Sequence, residues 1–222
     1  VLLNGSTTIN SLTLSSSTAP AAAILNFNYN ATTADPLIID DGDVTIHNSG
    51  SITHTGGSTS TVLAAINIDV QTGDLTINSG GTIDVDAAGY IRVGATGYGP
   101  GAGFAAGGSG GGGGAHGGEG GMGTDSSVLT AAGGNTYGST TNPVTLGSSG
   151  GQGNYEDGFG GGLVVLTVAG TTTINGTITA DGEATGASVT AGGGGAGGSI
   201  NITTSGLAGS GTFTAIGGNG KY

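Results

Sequence analysis

The residues that could do chemistry are few and mostly acidic. Asp84 and Asp86 flank Val85, and on a strand such alternate side chains share a face about 7 Å apart. That separation suits the carboxylates of an inverting glycosidase, which stand roughly 6.5–9.5 Å apart. Arg92, between Ile91 and Val93, would point outward nearby and could meet an anionic sugar. Asp40, Asp41 and Asp43 form the densest acidic cluster and offer hard oxygen ligands to Ca²⁺. Their spacing is not that of a calcium loop, and Asp-Gly-Asp is also ordinary turn chemistry. His47, His54 and His116 lack ligand spacing, and His47 reads as an exposed strand residue. Asn4, Asn30, Asn175 and Asn201 each open an Asn-x-Ser/Thr acceptor sequence, open to glycosylation in a secreted chain.

Composition narrows the classes. The 222 residues include 53 Gly, no Cys and no Trp, and 2 Lys plus Arg against 14 Asp plus Glu give a net charge of −12. Two cations cannot neutralise a phosphate backbone, so nucleic acid is excluded as a partner. The longest dense apolar run, 163–169, is far short of a membrane helix, which needs about 20 residues. Without Cys there is neither a disulfide nor a thiolate metal site. The pairing of Asp84 and Asp86 lacks cations and a stacking platform beside it, and solvated turn acids are the plainer reading. The chain reads as non-enzymatic, with structural calcium the one cofactor considered.

The elements that must position these residues are strands. Thr, Ile, Val, Asn and Gly dominate, a vocabulary of strands and tight turns. One phrase recurs: GDVTIHNSGSIT at 42–53, GDLTINSGGTID at 73–84, GTTTINGTIT at 170–179 and, more faintly, GSTTINSLTL at 5–14. Each follows a further apolar run, and strand–turn–strand cycles of about 30 residues suggest stacked coils. The expected fold is all-β: a right-handed parallel β-helix (β-solenoid) forming one domain over 1–222, with a β-sandwich as the alternative. Val44, Ile46, Leu75, Ile77, Ile83, Val85, Ile174, Ile178 and Ile202 would fill the interior. Thr45, Thr76, Thr173 and Asn201 would face outward. Outward Thr could also order water as an ice-binding face does. Yet the Thr-x-Thr pairs (Thr53/Thr55, Thr59/Thr61, Thr171/Thr173, Thr177/Thr179, Thr212/Thr214) look sporadic along the chain.

The rhythm stops over 94–162, where 28 of 69 residues are Gly. So long a stretch without strands is either functional or flexible. It reads as a flexible loop, as a bundle of three-per-turn glycine helices, or as a flap. Tyr98, Phe104, Tyr137, Tyr155 and Phe159 favour the last, an ordered insertion packed on one face. A second glycine-rich loop, 181–198, would lie beside it.

The glycine tract, YGS at 137–139, LGSSGG at 146–151, GGLVVLTV at 161–168, INGTITADG at 174–182 and GGSINI at 197–202 resemble glycine-rich β-helix segments. Such segments belong to large secreted microbial surface proteins, the autotransporter passengers and filamentous-haemagglutinin-like adhesins. The resemblance spans roughly 73–220 and implies an extracellular, cell-surface setting, but no catalytic motif. The expected role is a structural protein, the subunit or segment of a surface fibre, stalk or self-assembling filament with an adhesive role. Its partners would be further copies, joined end to end or by strand addition, and surface glycans. The alternatives are a carbohydrate-active β-helix enzyme (hydrolase or lyase) and a glycan-binding adhesin module.

Overall fold

A computed structural model describes residues 1–15, 22–29, 35–57, 64–93, 97–105, 110–125, 128–153, 158–185 and 192–220. After a short β1 (Leu2–Leu3), strands come in threes. The first set is β2 (Thr7–Ile9), β3 (Leu12–Leu14) and β4 (Ala23–Phe27). It is followed by β5 (Leu37–Ile39), β6 (Val44–Ile46) and β7 (Gly50–His54), then β8 (Ile66–Val70), β9 (Leu75–Ile77) and β10 (Thr82–Asp84). A small hairpin of β11 (Gly123–Asp125) and β12 (Val128–Ala131) lies in the glycine-rich stretch. The chain then continues through β13 (Leu163–Ile174), β14 (Thr177–Thr179), β15 (Ser199–Ala208) and β16 (Thr212–Thr214). No helix occurs among the described residues.

The chain is all-β, and apart from the antiparallel hairpin every pairing is parallel. One sheet runs β1-β4-β7-β10-β14-β16. The other runs β2-β5-β8-β13-β9-β6-β3, with β15 laid along β13. Its two arms meet in β13, whose first half pairs with β8 and whose second half pairs with β9. The strands before and after the glycine-rich stretch are therefore direct neighbours, as in Ile83 opposite Ile178.

Register follows the alternation of the repeated phrase. Leu14, Ile46, Ile77 and Ile174 stand in one column, and Leu25, Ile52, Ile83 and Ile178 in another. All eight belong to a single buried cluster, where burying each Leu or Ile contributes about 1.5–3 kcal/mol. The expected interior residues are all buried except Ile202, which is half-buried because β15 is the outermost strand of its sheet. Thr45, Thr76, Thr173 and Asn201 face outward and are half-exposed. One turn position takes a left-handed backbone in successive copies of the phrase, with φ 81° at Gly80 and 66° at Ser49. Gly reaches that conformation without strain, whereas Ser carries a Cβ there.

The described part of 94–162 is ordered by its backbone. Gly147 and Gly150 donate their N–H groups to Gly161 and Gly158, while Ser148 and Gly151 accept from Ala196 and Gly193. Residue 149 lies between them, donating to Tyr98 and accepting from Gly103. The same neighbour thus recurs every third residue, and the third direction serves a different segment. Gly195 and Gly198 likewise donate to Glu183 and Ala180, and Gly158 and Gly161 to Gly193 and Ala196. A repeat of three belongs to extended three-per-turn helices, which have no internal hydrogen bonds, and not to pleated strands with their repeat of two. Of the three sequence readings, the glycine-helix bundle fits this pattern. Of the aromatics expected to stiffen a flap, Tyr98, Tyr137 and Phe159 are half-buried and Phe104 is 52% exposed, while Tyr155 lies outside the described residues. A small cluster of Ala65, Leu146 and Leu163, with Tyr90 and Val165 packed against it, joins the bundle to the strands.

Candidate functional site

The acids hold turns in place. Asp43 Oδ1 accepts the Asp74 N–H at 2.9 Å, and Asp74 Oδ1 accepts the Thr171 N–H at 2.7 Å. A second series repeats this: Asp86 Oδ1 takes the Asp181 N–H, and Asp181 Oδ1 takes the Ile216 N–H, both at 2.7 Å. Each carboxylate therefore satisfies a backbone donor of the next strand set, which a turn at the sheet margin would otherwise leave to water.

Asp84 and Asp86 are both exposed, on either side of the buried Val85. Strand β10 ends at Asp84, whose Oδ1 accepts the Asp86 N–H at 3.0 Å and the Thr179 hydroxyl at 3.3 Å. This is an Asx turn, and it commits the Asp84 carboxylate to structural hydrogen bonds. Asp86 has a raised pKa, mainly because partial burial penalises its charge, with the neighbouring Asp84 and Asp181 adding to the rise against its hydrogen bonds. Arg92 lies half-buried beyond the strand, outside any sheet. Asp40 and Asp41 are exposed, and Asp43 is engaged as described. Among the described residues no three His, Cys, Asp or Glu side chains are grouped to hold a metal ion.

Of the acceptor asparagines, Asn4 is exposed and its Oδ1 accepts from the Asn28 amide at 3.0 Å. Asn175 is exposed and takes the Ser210 N–H at 3.4 Å. Asn201 donates to Asn142 Oδ1 at 3.0 Å. Asn30 lies outside the described residues.

The histidines part company. His47 is exposed, as expected, with its Nδ1 3.2 Å from the Asn78 amide. His54 is buried, only 3% exposed. Its Nε2 accepts the Leu163 N–H at 3.1 Å while Nδ1 lies 3.1 Å from the Thr55 carbonyl. Nε2 must be unprotonated to accept, so Nδ1 carries the proton and donates. Burial lowers its pKa to about 4 against a smaller opposing effect of the Thr55 bond. It is a neutral clasp between β7 and β13, which sequence reading missed because its partner lies 109 residues away.

His116 lines a cavity of about 560 Å³ with Glu119, Tyr137, Ser139, Thr140 and Pro143. Its ring packs at 4.9 Å against Tyr137, and Nε2 meets the Thr145 hydroxyl at 2.7 Å. Burial lowers the His116 pKa and raises that of Tyr137. The Tyr137 hydroxyl donates to the Leu146 carbonyl and accepts from Ser148 Oγ, which in turn accepts the Gly101 N–H. These groups are committed to fixing the cavity wall. Glu119 is the one acid lining it, beside His116.

What the fold and site define is an all-β chain of parallel sheets with a hydrogen-bonded glycine layer. No family model, no curated protein and no solved structure matches it.

Proposed function

We propose that the chain is a parallel β-helix whose coils stack into an extracellular structural element, a segment or subunit of a surface fibre, stalk or filament. Supporting the coil reading is the recurrence of strands in threes: from β1 to β7 each pairs in parallel with the strand three further on, as Val44 does with Leu75. The observation that carries assembly is the pair of open edges. Among the described residues β1, β2 and β3 are edge strands at the start, and β15 and β16 are edge strands at the far side. Both edges run in the same parallel sense, so a second copy can extend the ladder head to tail. Such a contact does not close on itself, and it makes filaments. Apolar side chains lie uncovered at both: Val1 and Leu2 are 89% and 53% exposed, Leu207 and Ile216 62% and 63%.

Electron microscopy and sedimentation of the chain test this at neutral pH. Rods that lengthen with concentration are expected, and Leu207→Lys should leave single short rods. A monomer at every concentration, or undiminished polymerisation of Leu207→Lys, would sink the proposal. The cavity beside His116 favours a second reading, an adhesin module that takes a neutral glycan.

A further inference from the structure

The outward face of the β1–β16 sheet carries two rows of hydroxyls. In β7, β10, β14 and β16 the inward column is Ile52, Ile83, Ile178 and Phe213. Alternation leaves two outward positions per strand. Ser51, Thr82, Thr177 and Thr212 stand opposite one another as the first row. The same register makes Thr53, Asp84, Thr179 and Thr214 the second. Seven of these eight positions are Ser or Thr. Two of the pairs that look sporadic in the sequence, Thr177/Thr179 and Thr212/Thr214, thus fall on neighbouring strands, and Ser51, Thr53 and Thr82 extend their rows.

We propose that this face binds ice, anchoring to the ordered water of its surface. The mesh is set by the sheet: about 4.8 Å between strands and about 6.7 Å between alternate residues along one. The oxygens of an ice surface form a two-dimensional net of comparable mesh. Thr is β-branched and stiff at χ1, so each hydroxyl and methyl keeps its place without an ordering cost at binding. Cross-links hold the rows further: Thr82 Oγ1 donates to Ser51 Oγ at 3.0 Å, and Thr214 Oγ1 to Asp181 Oδ2 at 3.0 Å. Seven of the eight positions are uncharged; the one carboxylate among them, Asp84, is engaged by Thr179 and by the Asp86 N–H, and the carboxylates at the margin of the rows, Asp86 and Asp181, are tied to the Asp181 N–H and to the Ile216 N–H and Thr214 hydroxyl. A sugar-binding plane would present aromatic rings for stacking, and these eight positions hold none. The proposal needs only the strand register and not assembly between copies.

The test is ice growth in the presence of the full chain, read as the gap between melting and growth temperatures and as inhibition of recrystallisation. The expected result is a gap with faceted crystals, lost for the most part in Thr177→Lys and kept in Thr45→Lys, which lies outward on the other sheet. Circular dichroism establishes that each variant is folded. Thr212→Lys, on the outermost strand, repeats the test where Thr177→Lys does not fold. Unaltered ice growth with the native chain overturns the proposal, as does equal behaviour of Thr177→Lys and Thr45→Lys. Binding to crystalline cellulose that Thr177→Lys abolishes, without any effect on ice, would overturn it in favour of a polysaccharide lattice.

Discussion

Asp74 donates its N–H to Asp43 and accepts the Thr171 N–H on its own carboxylate, so one residue ties three successive turns. Asp74→Ala strips the acceptor from Thr171 and should cost about 1 kcal/mol, the usual loss for an exposed side-chain acceptor of a backbone N–H. Asp74→Asn keeps an amide oxygen there and should recover most of it, as compared by urea midpoints. His54 gives the chain a pH dependence of definite sign. Its pKa is lowered from 6.5 to about 4 in the folded state, so below 6.5 the unfolded chain binds the proton first. Stability is then complete above pH 6.5, falls as pH drops towards 4, and levels off below, with a loss of about 3 kcal/mol. Urea midpoints across pH 4–7 measure it, and His54→Gln should flatten that slope. The sequence made the Asp residues legible as turn formers, since Asp-Gly-Asp is local chemistry. It did not show which N–H each one caps, or that His54 is enclosed, because those partners stand from 31 to 109 residues away in the chain.

Elements divide sharply in how much they could be read. The strands of the repeated phrase were legible because alternation and Gly/Asn/Ser turns act within a few residues, and parallel pairing then brings like positions into register. The glycine layer was legible only as one of three readings, since a run of glycines satisfies every register equally, and its three-residue repeat resides in bonds between segments. Those bonds give a prediction. A Cβ on Gly160 would run into the Gly147 carbonyl oxygen, and one on Gly117 meets nothing within 4 Å. Backbone cannot yield as a flexible side chain does. Gly160→Ala should therefore cost about 4 kcal/mol or more, while Gly117→Ala stays within about 0.5 kcal/mol of the native chain. Guanidinium unfolding of the two variants makes the comparison, and equal midpoints would contradict the close packing described.

For the whole molecule, two kinds of order share one chain. The sheets place their hydrogen bonds along one axis, the direction in which the strands stack, and bury Ile, Leu and Val columns between them. The glycine layer carries almost no side chains, and closeness of backbones takes over from an apolar core. The net charge of −12 would set like charges against one another in the proposed assembly, whose end contacts would have to rest on uncharged edges and on apolar groups such as Leu207 and Ile216.

The threefold bonding around residues 147–151 bears on how the molecule fails under load. A strand at a sheet edge can be peeled, because its bonds lie in one plane and break in sequence. A glycine segment tied to Gly161, Ala196 and Tyr98 on different sides has no such seam, and pulling it in any lateral direction stretches bonds to several neighbours at once. The layer behaves as cross-ply beside a laminate, and a crack running along the sheets has to stop or turn where it meets the glycines.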